Sequence, residues 1–401
     1  MNDSRRNSRN QEFQLKIALV TDTYFPRING VSASTRVFFE EFQKLGHEVH
    51  VYAPAFPGHV DENPNIHRFP SMYLFFDPED RLGRPNRDKA MIEEFKSHKF
   101  DIVHTQTPFS IGGPAVDWAH ESGSKIVHTY HTLFAAYVEY YLPWVPKSFM
   151  VWLTKKMSQR YCDRCDLIVT PSPEMKRVLE SYGATKTPIV AIPTGINLSK
   201  FEGAQPERFR QAHGYGPDDK LMLFMGRVSG EKNVDFLIRV LDRLKDDFPH
   251  LFLMVAGEGG AKKSLIRLVE KMGLKGRVRF LGYLGKEEWR DCYAGADLFT
   301  FASVTETQGL VVTEAMAAGV PVVAVARMGV KDVMASQKGG VLVDLDEEAF
   351  TDQVRRMLTD KTFYDMKKAE TKPEAALWSA EAMAQKMLAA YGGLLQQKAK
   401  P

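Results

Sequence analysis

The sequence predicts an α/β fold of two doubly wound parallel sheets that face one another across a cleft. Three observations carry this. Short β-branched runs alternate with stretches of helical period along nearly the whole chain, the pattern that strand–helix–strand crossovers impose. The alternation breaks once, at a polar stretch holding Gly and Pro between residues 193 and 217, and then restarts. A chain of 401 residues is long enough for two domains, each with its own core.

Taken in order, residues 1–14 are polar with no apolar run behind them, so a disordered tail is expected there rather than a signal peptide or anchor. A first domain is expected over residues 15–198, with strands at 16–20, 48–53, 101–104, 125–130, 167–170 and 188–192 and a helix over 31–45. The second domain, 199–377, has strands at 221–225, 251–255, 278–281, 296–302 and 321–325. Trp378 and Ser379 then precede a last helix from Ala380 to about residue 395, within a closing segment 378–401. In such sheets ligands sit beyond the carboxyl ends of the strands, so the loops there, in the cleft between the domains, are where chemistry is expected.

Composition narrows the function. A net charge of +3 gives no electrostatic case for nucleic acid, and no apolar run approaches the length of a membrane span. Three cysteines, an odd number, suit a reducing cytoplasm. Cys162 and Cys165 form a C-x-x-C pair with no second pair or nearby His, so reduced core thiols are expected rather than zinc. Asp344 and Asp346 lie late in the second domain without further ligands and read as a solvated turn. No metal and no cofactor are expected.

The most informative stretch runs from Ser303 to Pro321. Glu306 and Glu314 stand eight positions apart with Gly309 between them, and Gly319 and Pro321 end the alanine-rich segment as a helix is ended. Glu306 is expected on a strand-to-helix loop and Glu314 in the first turns of the helix. Free N–H groups at that helix start suit a phosphate, and Gly309 allows close approach. A carboxylate inside the helix suits ribose hydroxyls, and one on the loop suits a sugar. Acidic residues near a helix start are also common for dipole reasons alone.

Four further loops follow strands. Asp22 to Ser32 contains Gly30 at a helix start, suited to phosphate or to a simple turn. His131 falls just past a strand end, facing the cleft or serving structure. Arg227 and Lys232, five positions apart, offer a planar fork and a compact charge to a diphosphate, though a solvated basic turn has the same composition. Residues 257–260, Gly-Glu-Gly-Gly, lack the full dinucleotide fingerprint, which argues against a nicotinamide cofactor.

Between Tyr137 and Arg164 the first domain concentrates aromatic and basic residues, among them Tyr140, Tyr141, Trp144, Phe149, Trp152 and Lys147. At helical spacing Phe149, Leu153, Met157 and Tyr161 form one stripe, expected to face the core. Ser148, Trp152, Lys155, Lys156 and Gln159 form the other. A Trp among lysines on an exposed face fits a helix lying on an anionic membrane, or an ordinary amphipathic helix with one half-buried Trp.

With these motifs in place, the chain resembles the retaining glycosyltransferases of GT-B architecture, a group that includes sucrose synthases, phosphatidylinositol mannosyltransferases and bacterial diacylglycerol glucosyltransferases. The resemblance runs from Lys16 to the final helix and rests on Arg227 with Lys232, then Glu306 and Glu314 with Gly309 and Leu310, in order. It implies two Rossmann-like domains, the first binding the acceptor and the second the nucleotide sugar, with the last helix crossing back onto the first domain. It implies that Gly30 lines the phosphate side, that His131 faces the donor sugar, and that Arg227 and Lys232 hold the leaving diphosphate. Glu306 would hold sugar hydroxyls, Gly309 and Leu310 would offer N–H groups, Glu314 would bind the ribose, and the loop with Tyr283 and Leu284 would border the base. The interdomain segment Pro193 to Asn197 departs from the family's Pro-Asn-Gly-Val-Asp-like pattern.

Residues 103–110 and 127–132, followed by Tyr137 to Tyr141, and Asp22 with Asn29 to Val31, are most similar to the diacylglycerol glucosyltransferase branch. That implies glucose transfer from UDP-glucose, a substrate rather than a cofactor, to diacylglycerol or a related lipid. The protein would be cytoplasmic and peripheral on the inner face of an anionic membrane. Asp22, Tyr137, Trp144, Trp152, Lys155 and Lys156 are the residues expected to meet acceptor or membrane. Other acceptors (a soluble sugar or a lipid-linked glycan), GDP-mannose as donor, a sugar-nucleotide epimerase and a non-catalytic binding protein stand as alternatives.

Overall fold

A computed structural model of the chain describes residues 14–74, 80–131, 147–184 and 186–396. Its first sheet has seven strands in the order β3-β2-β1-β6-β7-β8-β9. These are β1 (Lys16–Val20), β2 (Glu48–Pro54), β3 (Ile66–Phe69), β6 (Ile102–Thr105), β7 (Lys125–Thr129), β8 (Leu167–Thr170) and β9 (Ile189–Ala191). A small antiparallel pair, β4 (Ser71–Tyr73) and β5 (Arg81–Gly83), lies beside it. The second sheet runs β12-β11-β10-β13-β14-β15, from β10 (Lys220–Met225), β11 (Leu251–Ala256), β12 (Val278–Gly282), β13 (Leu298–Phe301), β14 (Val322–Val325) and β15 (Gly340–Val343). Every pairing in both main sheets is parallel. Most of the strands are buried along their length, as helices on both faces require.

Ile66–Phe69 and Gly340–Val343 are strands that the sequence pattern did not reveal. Both are only four residues long, and the first carries His67 and Arg68. The expected linker is largely ordered structure of the second domain. Helix Pro206–Ala212 buries Phe209 in the second core, and Arg208 pairs with Asp291 on helix Lys286–Gly295.

The last helix, Ala380–Gln396, packs on the first domain, with Met383, Ala384, Met387, Tyr391 and Leu394 buried in its core. Tyr391 Oη lies 2.5 Å from His104 Nδ1 on β6. The two chain crossings touch at one point. Ile196 N–H donates to Trp378 C=O at 2.8 Å and Ala380 N–H to Ile196 C=O at 2.8 Å, and a Cβ on Gly195 would lie 2.4 Å from Ala380 Cα. Asn197 caps the short turn Leu198–Phe201 by accepting from Ser199 N–H.

Candidate active site

The second domain's loops are joined backbone to backbone at the carboxyl ends of β10, β11 and β12. Val228 N–H donates to Glu258 C=O at 2.9 Å, Ala261 N–H to Val228 C=O at 3.0 Å, and Gly257 N–H to Gly282 C=O at 2.8 Å. A Cβ on Gly257 would sit 2.0 Å from Gly226 C=O, and one on Gly259 2.3 Å from Val228 C=O. Only glycine permits that approach, and Gly257 also has φ +129°. The 257–260 run is therefore a spacer that lets the Arg227 loop rest on its neighbour, a job the missing dinucleotide fingerprint did not suggest.

The Arg227 loop is stitched to the Glu306 loop as well. Asn233, left-handed at φ +50°, donates through Nδ2 to Ala302 C=O at 3.0 Å, and Val304 N–H donates to Glu231 C=O at 3.3 Å. This brings two of the expected site residues into contact, for the Lys232 ammonium donates to the Glu306 carboxylate. Their side chains are 12% and 22% exposed, so the pair is largely desolvated and each charge depends on the other. Arg227 is exposed, and its guanidinium has no partner among the described residues.

Gly309, at φ +87°, caps helix Leu310–Ala317 and rests against Val330. Its preceding loop is fixed from below, where Gly329 N–H donates to Glu306 C=O at 2.9 Å and a Cβ on Gly329 would meet Thr307 C=O at 2.3 Å. The helix start therefore presents its first N–H groups at a defined place. Glu314, in the second turn, accepts from the buried Tyr293 hydroxyl at 2.9 Å. Burial raises its carboxyl pKa, while the Tyr293 bond and the Lys200 charge pull it back. Leu284 packs on the second core and Tyr283 is exposed beside it.

On the first domain, Asn29 caps helix Gly30–Lys44 through Ser32 N–H, and Gly30 stands exposed as its first residue with open space where a Cβ would go. His131 Nε2 lies 2.8 Å from Gln106 Oε1, and burial lowers its pKa to about 4, so the ring is neutral at ordinary pH. Gln106, missed by sequence reasoning, is buried with its Nε2 unpartnered.

The Asp22 carboxylate is bonded within the first domain. Oδ1 accepts from Ser110 Oγ and Ile111 N–H, at 2.7 and 2.6 Å, and Oδ2 from Thr107 Oγ1, Phe109 N–H and Gly112 N–H, at 2.7, 3.1 and 3.3 Å. Five donors fill both oxygens, so the carboxylate anchors the loop after β6.

Helix Lys147–Cys162 turns differently from expectation. Phe149 and Met157, expected in the core, are 51% and 62% exposed, and Trp152 is 53% exposed with its ring 5.9 Å from that of Phe149. Tyr161 does pack on the core as expected, its hydroxyl donating to Thr105 Oγ1 and Gly112 C=O, both at 3.0 Å, but beside it the inward face is Thr154, Ser158 and Cys162. Small polar side chains pack inward when bonded, as Ser158 Oγ is to Tyr130 Oη at 2.9 Å. Lys156 is exposed as expected, but Lys155 is half-buried, its ammonium 5.3 Å from the centre of the Tyr182 ring. Tyr137 and Trp144 lie outside the described residues. Cys162 and Cys165 are buried free thiols with pKa values pushed up by burial.

The structure thus joins Lys232 to Glu306 and gathers Arg227, Gly309 and Glu314 on loops and a helix start at the same sheet end. Among the described residues no hydrogen bond ties His131 to the second domain. The domains meet instead through Gln308, which bonds the Thr194 backbone, and through Asp332 Oδ2, which accepts from Glu174 N–H at 3.0 Å.

Comparison with known proteins finds two family models along the chain. Residues 28–200 match the family model described as Glycosyltransferase Family 4, and residues 205–374 that of Glycosyl transferases group 1. The chain is 32% identical to alpha-monoglucosyldiacylglycerol synthase of Streptococcus pneumoniae over 324 residues, 77% of this chain and 71% of that protein. The protein of the same name from Acholeplasma laidlawii is 26% identical, over 77% of this chain and 80% of its own length. Sucrose-phosphate synthase from Thermosynechococcus elongatus shares the fold at a TM-score of 0.76 and 21% identity, over 96% of this chain and all of that one. Two parallel-sheet domains, a crossing last helix and a cation–carboxylate pair at the carboxyl end of the second sheet therefore have one common account: this chain belongs to the glycosyltransferases of GT-B architecture.

Proposed function

We propose that the protein is a retaining hexosyltransferase that moves glucose from UDP-glucose to diacylglycerol or a related lipid, working on the inner face of an anionic membrane. The observation that carries the lipid acceptor is the outward face of helix Lys147–Cys162. Phe149, Trp152 and Met157 stand exposed on one side together with Lys156 and Arg160. Exposed apolar side chains ringed by cations suit the interface of a bilayer with anionic lipid and gain nothing in water. No helix among the described residues is long and apolar enough to cross a membrane, so contact through such a face is the mode this reading requires. The names of the two relatives, both glucosyldiacylglycerol synthases, point the same way.

On the donor side, Arg227 and Lys232 meet the diphosphate, where negative charge grows as the anomeric bond breaks through an oxocarbenium-like state. The arriving phosphate competes for Lys232 and releases Glu306 to the sugar hydroxyls. The first N–H groups after Gly309 complete the phosphate cradle, and Glu314 takes the ribose. The acceptor hydroxyl attacks on the face the phosphate leaves, and the departing phosphate takes its proton, so no step needs a resident metal. His131, neutral and held by Gln106, offers a hydrogen bond to the sugar without adding a charge.

Sedimentation with liposomes containing anionic lipid, followed by product analysis with UDP-glucose and diacylglycerol, tests the proposal. Binding at low salt and an α-linked glucolipid are expected. Absence of binding together with transfer to a soluble acceptor removes the lipid reading, and preference for another nucleotide sugar removes UDP-glucose.

A further inference from the structure

Three histidines and two glutamates meet at the amino end of β2, away from the carboxyl-end loops of the cleft. His50 lies on β2, His67 on β3, and His98 caps helix Lys89–Ser97. His50 Nδ1 is 2.9 Å from His67 Nε2, so one ring donates to the other. The other nitrogen of His50, Nε2, is 3.4 Å from Glu48 Oε1. Glu94 Oε1 is 3.8 Å from both His67 Nδ1 and His98 Nε2. One ligand atom each from Glu48, His50 and His98 lies within 4.8 Å of the others.

The rings pack on neighbouring aromatics, His67 on Tyr52 and His98 on Phe100, but packing does not call for the Glu48 carboxylate beside His50. Three imidazoles stand side by side, the His50 ring centre 4.5 Å from that of His98 and 5.1 Å from that of His67. An imidazole nitrogen and a carboxylate oxygen are both metal-ligand atoms. Zinc bonds to His nitrogen and carboxylate oxygen are about 2.0–2.2 Å, so ligand atoms at two corners of a tetrahedron are about 3.3–3.5 Å apart. The Glu48–His50 separation of 3.4 Å has that spacing. Lys16 occupies the second Glu48 oxygen at 3.5 Å, leaving Oε1 to point at His50.

We propose that Glu48, His50 and His98 bind a divalent first-row transition ion, zinc by its preference for two imidazoles and a carboxylate. His67 orients His50 through its Nδ1, in turn facing Glu94, and water fills the fourth position. His98, at a helix end, closes the remaining distance by a side-chain rotation. The ion staples the β2–β3 edge of the sheet to helix Lys89–Ser97 and takes no part in transfer. Sequence reading missed the set because its members are spread over about fifty residues, on two strands and a helix end, whereas it weighed only C-x-x-C and D-x-D spacings.

The test is titration of the chelator-stripped full chain with Zn²⁺ against a chromophoric chelator, read alongside thermal unfolding. One tight equivalent and a raised Tm are expected, and Co²⁺ should give the intense visible bands of four-coordination. His98→Ala and Glu48→Gln, both half-buried, are each compared with their own metal-free Tm and should lose the zinc shift. His67→Ala should weaken binding by about 10–100-fold, as outer-shell partners do. No stoichiometric binding, or binding unchanged in both His98→Ala and Glu48→Gln, overturns the proposal and leaves the cluster as packing.

Discussion

Gln308 and Thr194 grip one another through a complete amide pair across the domain boundary. Gln308 Oε1 accepts from Thr194 N–H at 2.8 Å, and Gln308 Nε2 donates to Thr194 C=O at 2.7 Å. Thr194 passes the contact on, its Oγ1 donating to Ser34 Oγ at 2.7 Å on the first helix. Gln308 is the residue between the Glu306 loop and the Gly309 helix start, so one buried side chain registers the donor loop against the first domain.

Gln308→Ala removes both bonds and strands a buried N–H and a buried C=O. Each such group costs about 1–3 kcal/mol, so a loss on the order of 2–6 kcal/mol is expected as a lower urea midpoint. Turnover should fall with it, because the loop that carries Glu306 loses its register. An unchanged midpoint would mean that the pair contributes nothing to holding the domains.

The Lys232–Glu306 pair makes a kinetic prediction. Lys232→Ala leaves a desolvated carboxylate and removes a cation from the diphosphate, so kcat should fall by about 10²–10³-fold, as when one preorganised donor is lost. Glu306→Gln should also slow transfer. Because each side chain positions the other, the double variant should be less impaired than the product of the two single losses, and steady-state kinetics of the four proteins measures that coupling. Strict additivity would show that the contact has no part in the reaction.

How much of this was legible follows from what each residue depends on. Buried parallel strands such as Leu167–Thr170 and Val322–Val325 announce themselves by continuous β-branched runs, because both faces are covered. The Glu306–Glu314 spacing was legible because a loop and the helix after it are local in the chain. Helical period finds a stripe but not which stripe is buried. Phe149 and Met157 formed the more apolar face, yet the protein buries Thr154 and Ser158, whose partner Tyr130 is 28 residues from Ser158. Gln308 gave no signal at all, since its worth comes from Thr194, 114 positions away. Gly257 and Gly259 were visible as glycines, but their reason is the backbone of another loop.

Acid should weaken the first domain through its histidines. Burial lowers the pKa of His131 to about 4 from an ordinary 6.5, and burial with the His131 charge lowers that of His128 to about 3. The unfolded chain therefore binds protons at these sites before the folded one does. The stability tied to neutral His131 is complete above pH 6.5 and is lost as pH falls towards 4. From the shift, that share is on the order of 2–3 kcal/mol by pH 4. Urea midpoints at pH 7 and 4.5 should converge for His131→Asn relative to the parent protein. A parent and variant that lose the same stability on acidification would show that His131 titrates normally.

The outward face of helix Lys147–Cys162 separates two contributions to membrane binding. Lys156 and Arg160 are exposed, so replacing both by Ala leaves the core untouched. Each cation near an anionic surface contributes about 1 kcal/mol, so liposome affinity should fall by about 30-fold at low salt. That difference should shrink in 1 M salt, where the screening length is about 3 Å. Trp152→Ala removes apolar area instead, and its loss should persist at high salt because burial of the ring does not depend on ionic screening. If both variants bind as the parent does, the membrane lies against another face. A loss with the same salt dependence in both would show that Trp152 acts by placing the cations rather than by entering the lipid.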